Sequence, residues 1–113
     1  MIVKKASEIN KEPVIKANSI YTTIQWLITD EDGAKRFTMR RFEILPGGEI
    51  GLHDHPEEHE IYILQGKGKL IDKEGKITEI GIGDVIFVPS NEPHGYKNDG
   101  SSPLQFICAI PYL

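Results

Sequence analysis

The sequence carries a single cysteine, a single tryptophan and two methionines in 113 residues. Cys108 alone cannot close an internal disulfide, so the fold must be held by its core, and a reducing, cytoplasmic setting is expected. No apolar run approaches the roughly 20 residues of a membrane-crossing helix. The opening Met1-Ile2-Val3-Lys4-Lys5 has no hydrophobic stretch of the export type, so neither membrane nor secretion is expected. A basic excess is also missing: 13 Lys and Arg against 17 Asp and Glu leave a formal charge of −4. Without a positive stripe to neutralise phosphates, nucleic acid and anionic membranes are poor partners, and a small-molecule ligand is expected instead. Helical periodicity, internal repeats and low-complexity stretches are absent too, and no helix-turn-helix pattern is present to serve as an output domain.

What remains is two-residue alternation punctuated by glycine and proline about every eight to twelve residues, the pattern of an all-β sandwich or barrel. Ile20 to Ile28 alternates, and Asp30-Glu31-Asp32-Gly33 turns it into a run from about Lys35 to Leu45, which predicts a hairpin. Pro46-Gly47-Gly48 is expected to break that strand before a further run carries His53 and His55 up to Pro56. Two strands kinked at Gly66-Lys67-Gly68 should fill residues 59–72. Asp72-Lys73-Glu74-Gly75 makes another hairpin turn, and Val85-Ile86-Phe87-Val88, apolar on both faces, is expected to be a core strand. His94 to Asn98 and Leu104 to Ile110 supply the last strands. The polar segment Ala6 to Asn18 is left between a turn of helix and an arm, so the expected division is an arm or first strand over 1–18 and one barrel domain over 19–113.

All four histidines fall in two places, His53-x-His55 with His59 close behind, and His94 about 35 residues further on. Strand positions two apart share a face, so His53 and His55 can converge on one point. Neutral imidazoles suit divalent manganese, iron, nickel, copper and zinc, and suit magnesium and calcium poorly. A His-x-His pair is also common as a solvated surface pair, and the spacing alone does not bring His94 to the others.

Between Gly47 and Asn98 the sequence resembles the cupin superfamily. The first motif of that family is Gly, five residues, His-x-His, three or four residues, Glu, six residues, Gly; here Gly47, His53, His55, His59 and Gly66 match it, with His59 in the Glu position. The second motif is matched by Gly83, Pro89, His94 and Asn98, with Asn91 where Gly is usual. The resemblance implies a double-stranded β-helix, or jelly-roll barrel, with motif 1 over about 47–66 and motif 2 over about 83–98. It also implies that His53, His55, His59 and His94 hold one divalent metal. Glu60 competes for the third position, but it leaves five residues before Gly66 and faces the opposite side from His59. An all-histidine set is similar to that of small manganese cupins of thermophiles, which share phrases such as Met39-Arg40-Arg41-Phe42, His59-Glu60-Ile61 and Phe106-Ile107-Cys108. Manganese is therefore the favoured metal, with iron, nickel, copper or zinc as alternatives.

If His94 faces inward so does Tyr96, and Phe106 and Cys108 share a face on the last strand, as do Arg40 and Phe42 on an earlier one. These five residues are the expected substrate pocket. Plain core packing is the competing role for Phe42, Phe106 and Cys108, whereas a cation facing a barrel interior needs an anionic partner. Cupins include dioxygenases, isomerases, decarboxylases and binding domains, so the resemblance fixes fold better than reaction. The expected function is a metal-dependent oxidoreductase, a dioxygenase acting on a small organic substrate. The alternative is a non-catalytic metal cupin that binds a small ligand, and an isomerase would want an acid/base pair that cannot be placed. Family members commonly pair as homodimers through edge strands and N-terminal arms, which is expected here as well.

Overall fold

The computed structural model describes residues 1–112. Among them nine strands form one curled antiparallel sheet: β1 Glu12–Pro13, β2 Ile20–Ile28, β3 Phe37–His53, β4 His59–Gln65, β5 Lys67–Asp72, β6 Ile77–Gly81, β7 Val85–Val88, β8 His94–Lys97 and β9 Leu104–Pro111. The strand order is β6-β5-β8-β3-β9-β4-β7, with β2 lying along β3 and β1 along β2. The fold is an all-β jelly roll, as the alternation predicts.

β3 organises the barrel. Its first half pairs with β9, placing Phe42 opposite Phe106 and Ile44 opposite Leu104, and its second half pairs with β8, placing His53 opposite His94. Contrary to expectation, Pro46-Gly47-Gly48 does not end the strand. β3 runs on through it, because these residues fall where β3 leaves β9 and takes up β8, and a missing proline N–H costs nothing between partners. Gly47 turns the corner with φ of 83°, and Asn98 clamps it, since Gly47 N–H donates to Asn98 O and Asn98 N–H to Gly48 O.

The inner faces read as the alternation implies. Ile44, Ile63, Leu104 and Phe106 are all 1% exposed or less, and burying side chains of this size stabilises by roughly 1.5–3 kcal/mol each. One strand departs from expectation. Val85-Ile86-Phe87-Val88 is an edge strand pairing only with β4, with Val88 buried but Val85 and Phe87 74% and 59% exposed. An apolar outer face looks the same in sequence whether the fold covers it or leaves it open.

Residues 6–18 contain both things the sequence left open: short 3-10 turns at Ala6–Glu8 and Lys16–Asn18, and β1 between them. The buried amide of Gln25 secures this stretch by donating to Ala6 O and Ile9 O, both at 2.8 Å. Asn91, in the place usually taken by glycine, has φ of 63°, a left-handed conformation that asparagine tolerates better than most residues.

Candidate metal centre

Three strands and one loop bring the histidines together. His53 ends β3 opposite His94, which opens β8; His55 sits in the loop before Pro56; His59 opens β4 opposite Val88. One ring nitrogen from each of His53, His55 and His94 lies within 4.8 Å of the others, so these three histidines can hold a metal ion.

Their orientation follows from local backbone. Nδ1 of His53 donates to Gly51 O at 2.7 Å, Nδ1 of His55 to Glu57 O at 2.8 Å, and Nδ1 of His94 to Glu92 O at 2.8 Å. A carbonyl only accepts, so each Nδ1 carries the proton and each Nε2 keeps its lone pair. Nε2 of His55 and of His94 are buried with no partner in the protein. Such orphaned acceptors are costly unless something fills the space between them, and the neutral Nε2 of three anchored imidazoles is a donor set that fits a divalent transition metal.

His59 is placed differently. It is 5% exposed, its ring stacks on His55 with centroids 4.2 Å apart, and it stands 5.3 Å from His94, yet it is not one of the three whose nitrogens converge. Its Nε2 lies 3.4 Å from Arg40 Nη2, while its Nδ1 is buried without a partner. A guanidinium can only donate, so in this arrangement the Nε2 lone pair faces Arg40. Glu60, the competing residue, is exposed on the opposite face of β4.

All the shifts at the site favour the ligating, uncharged form of imidazole. Burial, then the Arg40 charge, lowers His59 to about 2. Burial lowers His94 to about 4 and holds His53 below the usual histidine value. Protonated imidazole cannot ligate, so a centre built this way is ready for a cation near neutral pH.

Behind the histidines is an apolar floor. Phe42 and Tyr96 flank Phe106, with ring centroids 5.2 Å from it on either side. Phe42, Tyr96, Phe106 and Cys108 line a small cavity together with His53 and His59. It measures only about 10 Å³, space for about one water. The Tyr96 hydroxyl is buried with no hydrogen-bond partner, and burial raises its pKa. Cys108 is fully buried, and burial raises its thiol in the same way. Arg40 is 3% exposed; Nη2 donates to Cys108 Sγ at 3.1 Å, the guanidinium lies 5.0 Å from the Phe42 ring, and Nε has no partner. Among the described residues no carboxylate pairs with it. Lys16, which no motif in the sequence marks, also lines the cavity.

The chain is similar to known proteins in sequence and in fold. The Cupin domain pattern matches residues 40–110. An oxalate-binding protein of Thermotoga maritima is 44% identical over 74 residues, covering 65% of this chain and 60% of that protein. A 1-methylthio-D-xylulose 5-phosphate methylsulfurylase of Rhodospirillum rubrum is 26% identical over 72 residues, 64% of this chain and 46% of that protein. The matches thus span about half to three-fifths of these curated relatives' length. Among solved structures, the polyketide cyclase RemF from Streptomyces resistomycificus superposes with a TM-score of 0.93 at 35% identity, over 98% of this chain and 79% of that one. A predicted oxalate decarboxylase from Thermotoga maritima superposes with a TM-score of 0.82 at 32% identity, over 99% of this chain and 100% of that one. With both histidine-bearing stretches inside the matched region, and a jelly roll that superposes nearly end to end, this chain belongs to the cupin superfamily.

Proposed function

We propose that this chain is a divalent-metal cupin that captures a small, oxygen-rich anion beside its histidines, with manganese the first metal to test. The observation that carries this is the anchored triad: three imidazoles with Nδ1–H tied to backbone carbonyls and lone pairs turned toward one point, with Arg40 buried nearby and no carboxylate pairing with it. His53, His55 and His94 would hold the ion, and His59 would join them if its lone pair turned from Arg40. A bound divalent ion there supplies Lewis acidity and open positions for oxygen ligands. With only neutral histidines around it, the ion's charge is left for the ligand to balance. Arg40 would neutralise a ligand oxygen, the Tyr96 hydroxyl would donate to one, and the Phe42–Phe106 stack would exclude water. An oxalate-binding relative and the likeness to a predicted oxalate decarboxylase support a small dicarboxylate as the first ligand to try.

Catalysis, in this reading, is oxidative. Among the described residues no carboxylate lines the cavity, and His59 is its one imidazole outside the converging three, so the opposed acid/base pair of an isomerase is not supported there, and dioxygen would be the oxidant of a bound enol or dicarboxylate. The test is elemental analysis of untagged wild-type, His53→Ala and His94→Ala protein, followed by oxalate titration and oxygen uptake with oxalate and small 1,3-diketones. We expect about one metal per wild-type chain and at least a tenfold loss in both variants. Oxygen uptake supports the dioxygenase; oxalate binding without uptake supports the non-catalytic binding protein. Unchanged metal content in the variants would sink the metal site itself.

We also propose that two copies pair through the outer face of the sheet at its β7 edge. Tyr62, Val85 and Phe87 are each more than half exposed there, beside an apolar hollow of about 500 Å³, and an open strand edge of this kind invites pairing. Light scattering should find a dimer that Phe87→Glu converts to monomer.

A further inference from the structure

The cavity beside the histidines is lined in part by a residue from outside both motifs. Lys16 opens the turn Lys16–Asn18 and, though exposed, is one of the residues lining the space shared with His53, His59 and Tyr96. Local geometry holds it there. Ala17 and Asn18 both adopt left-handed φ, 53° and 55°, which turns the chain sharply, and Ser19 Oγ donates to Lys16 O at 2.7 Å. Ala17 O then seats so closely on Gly51 that a Cβ at that glycine would stand 2.2 Å from it. Gly51 O is in turn the acceptor that orients His53. The turn carrying Lys16 is therefore keyed to the backbone that anchors the first histidine of the triad.

The charges around this space do not balance. Lys16 forms no ion pair with a carboxylate among the described residues, and neither does Arg40. Burial and the Arg40 charge lower the Lys16 pKa, and Glu57 is the one carboxylate whose charge acts on it in the other direction. Tyr96, 2% exposed, adds a hydroxyl without a partner at the same cavity. Lys16 is exposed to solvent, so the uncompensated buried groups here are Arg40 and the Tyr96 hydroxyl, and an anion held at the mouth of this space would answer both with Lys16 beside it.

Building on the proposed metal-and-anion site, we infer that Lys16 is a charge-selecting residue: standing exposed at the mouth of the site, it widens the preference for a dianion over a monoanion beyond what the metal and Arg40 give. Arg40 and the metal attract any anion, a dianion most. Lys16 comes from the N-terminal turn, outside the strands that carry Arg40 and the histidines, and adds a further positive charge for a second anionic group.

An isosteric charge series tests this directly. Oxalate, oxamate and oxamide have nearly the same shape and carry charges of −2, −1 and 0. Calorimetric titration of each into manganese-loaded wild-type, Lys16→Met and Lys16→Arg protein, with metal content measured in parallel, separates charge selection from metal binding. Wild type should bind oxalate at least tenfold tighter than oxamate. Lys16→Met should weaken oxalate about tenfold and narrow that preference severalfold, leaving oxamide affinity and metal content unchanged, while Lys16→Arg should keep most of it. Equal oxalate affinity in Lys16→Met and wild type overturns the inference, as does an equal loss for all three ligands, which would mark Lys16 as merely structural. If no metal loads, the metal-cupin proposal fails separately. The same series on metal-free protein then still decides the role of Lys16, since its attraction for a dianion does not require the ion.

Discussion

Asn98 is 1% exposed and spends every polar atom of its side chain: Nδ2 donates to Ile44 O at 2.8 Å and to Ser102 O at 2.9 Å, and Oδ1 accepts from Gly100 N at 3.0 Å. It thereby ties the turn after β8 to the point where β3 changes partners. Replacing it with alanine removes three hydrogen bonds worth about 1 kcal/mol each and strands the buried Ile44 carbonyl, for a total loss of about 3–4 kcal/mol. A domain of this size has only about 5–15 kcal/mol to lose, so Asn98→Ala should lower the melting temperature by roughly 10–20 °C. Urea unfolding followed by circular dichroism should show a lower midpoint at an unchanged slope. Asn98→Asp sharpens the test, because it keeps the shape but turns the donor pair into a carboxylate facing two carbonyls. It should be no better than alanine at neutral pH. An Asn98→Ala loss below about 1 kcal/mol, or an Asn98→Asp protein as stable as wild type, would refute the account. Because β8 carries His94 and Tyr96, weaker metal retention should accompany either change.

Arg40→Met preserves length while removing a buried cation that has no carboxylate partner, so the metal-free protein should be as stable as wild type or more so, yet its oxalate affinity should fall at least tenfold. Calorimetry reads both, and a large destabilisation would show that the Cys108 and Phe42 contacts outweigh the desolvated charge. The histidines set a pH dependence of known sign. His94 and His59 are held to about 4 and about 2 in the fold, against about 6.5 in the unfolded chain, so the unfolded chain binds more protons below about pH 6.5. Stability of the metal-free protein should be full above that pH and decline as pH falls, with His94's share complete near pH 4 and His59's continuing lower. The slope is up to about 1.4 kcal/mol per pH unit for each histidine. Urea midpoints that do not move between pH 7 and pH 5 would contradict it.

Much of this protein is written locally. Side-chain alternation has a period of two wherever a strand lies, so the shared faces of Arg40, Phe42 and Ile44, and of Leu104, Phe106, Cys108 and Ile110, are legible without coordinates. Gly47, Gly66 and Gly83, with φ of 83°, 81° and 85°, mark turns that the motif spacing also picks out, although at Gly66 the distant Pro103 O, 2.2 Å from where a Cβ would stand, demands glycine as well. What a strand meets is a different matter, since partner and coverage depend on residues far away in sequence. The apolar run Val85–Val88 reads as core but lies at an open edge, and Pro46 reads as a break but falls at a change of partners. The site divides along the same line. Clustering and motif spacing mark four histidines in the sequence, whereas the convergence of three of them, and the turn of His59 toward Arg40, come from the pairing of β3 with β8 and β9 and of β4 with β7 and β9. Lys16 is the extreme case. Nothing in its neighbours distinguishes it from any surface lysine, and only the seating of Ala17 on Gly51 brings it to the cavity.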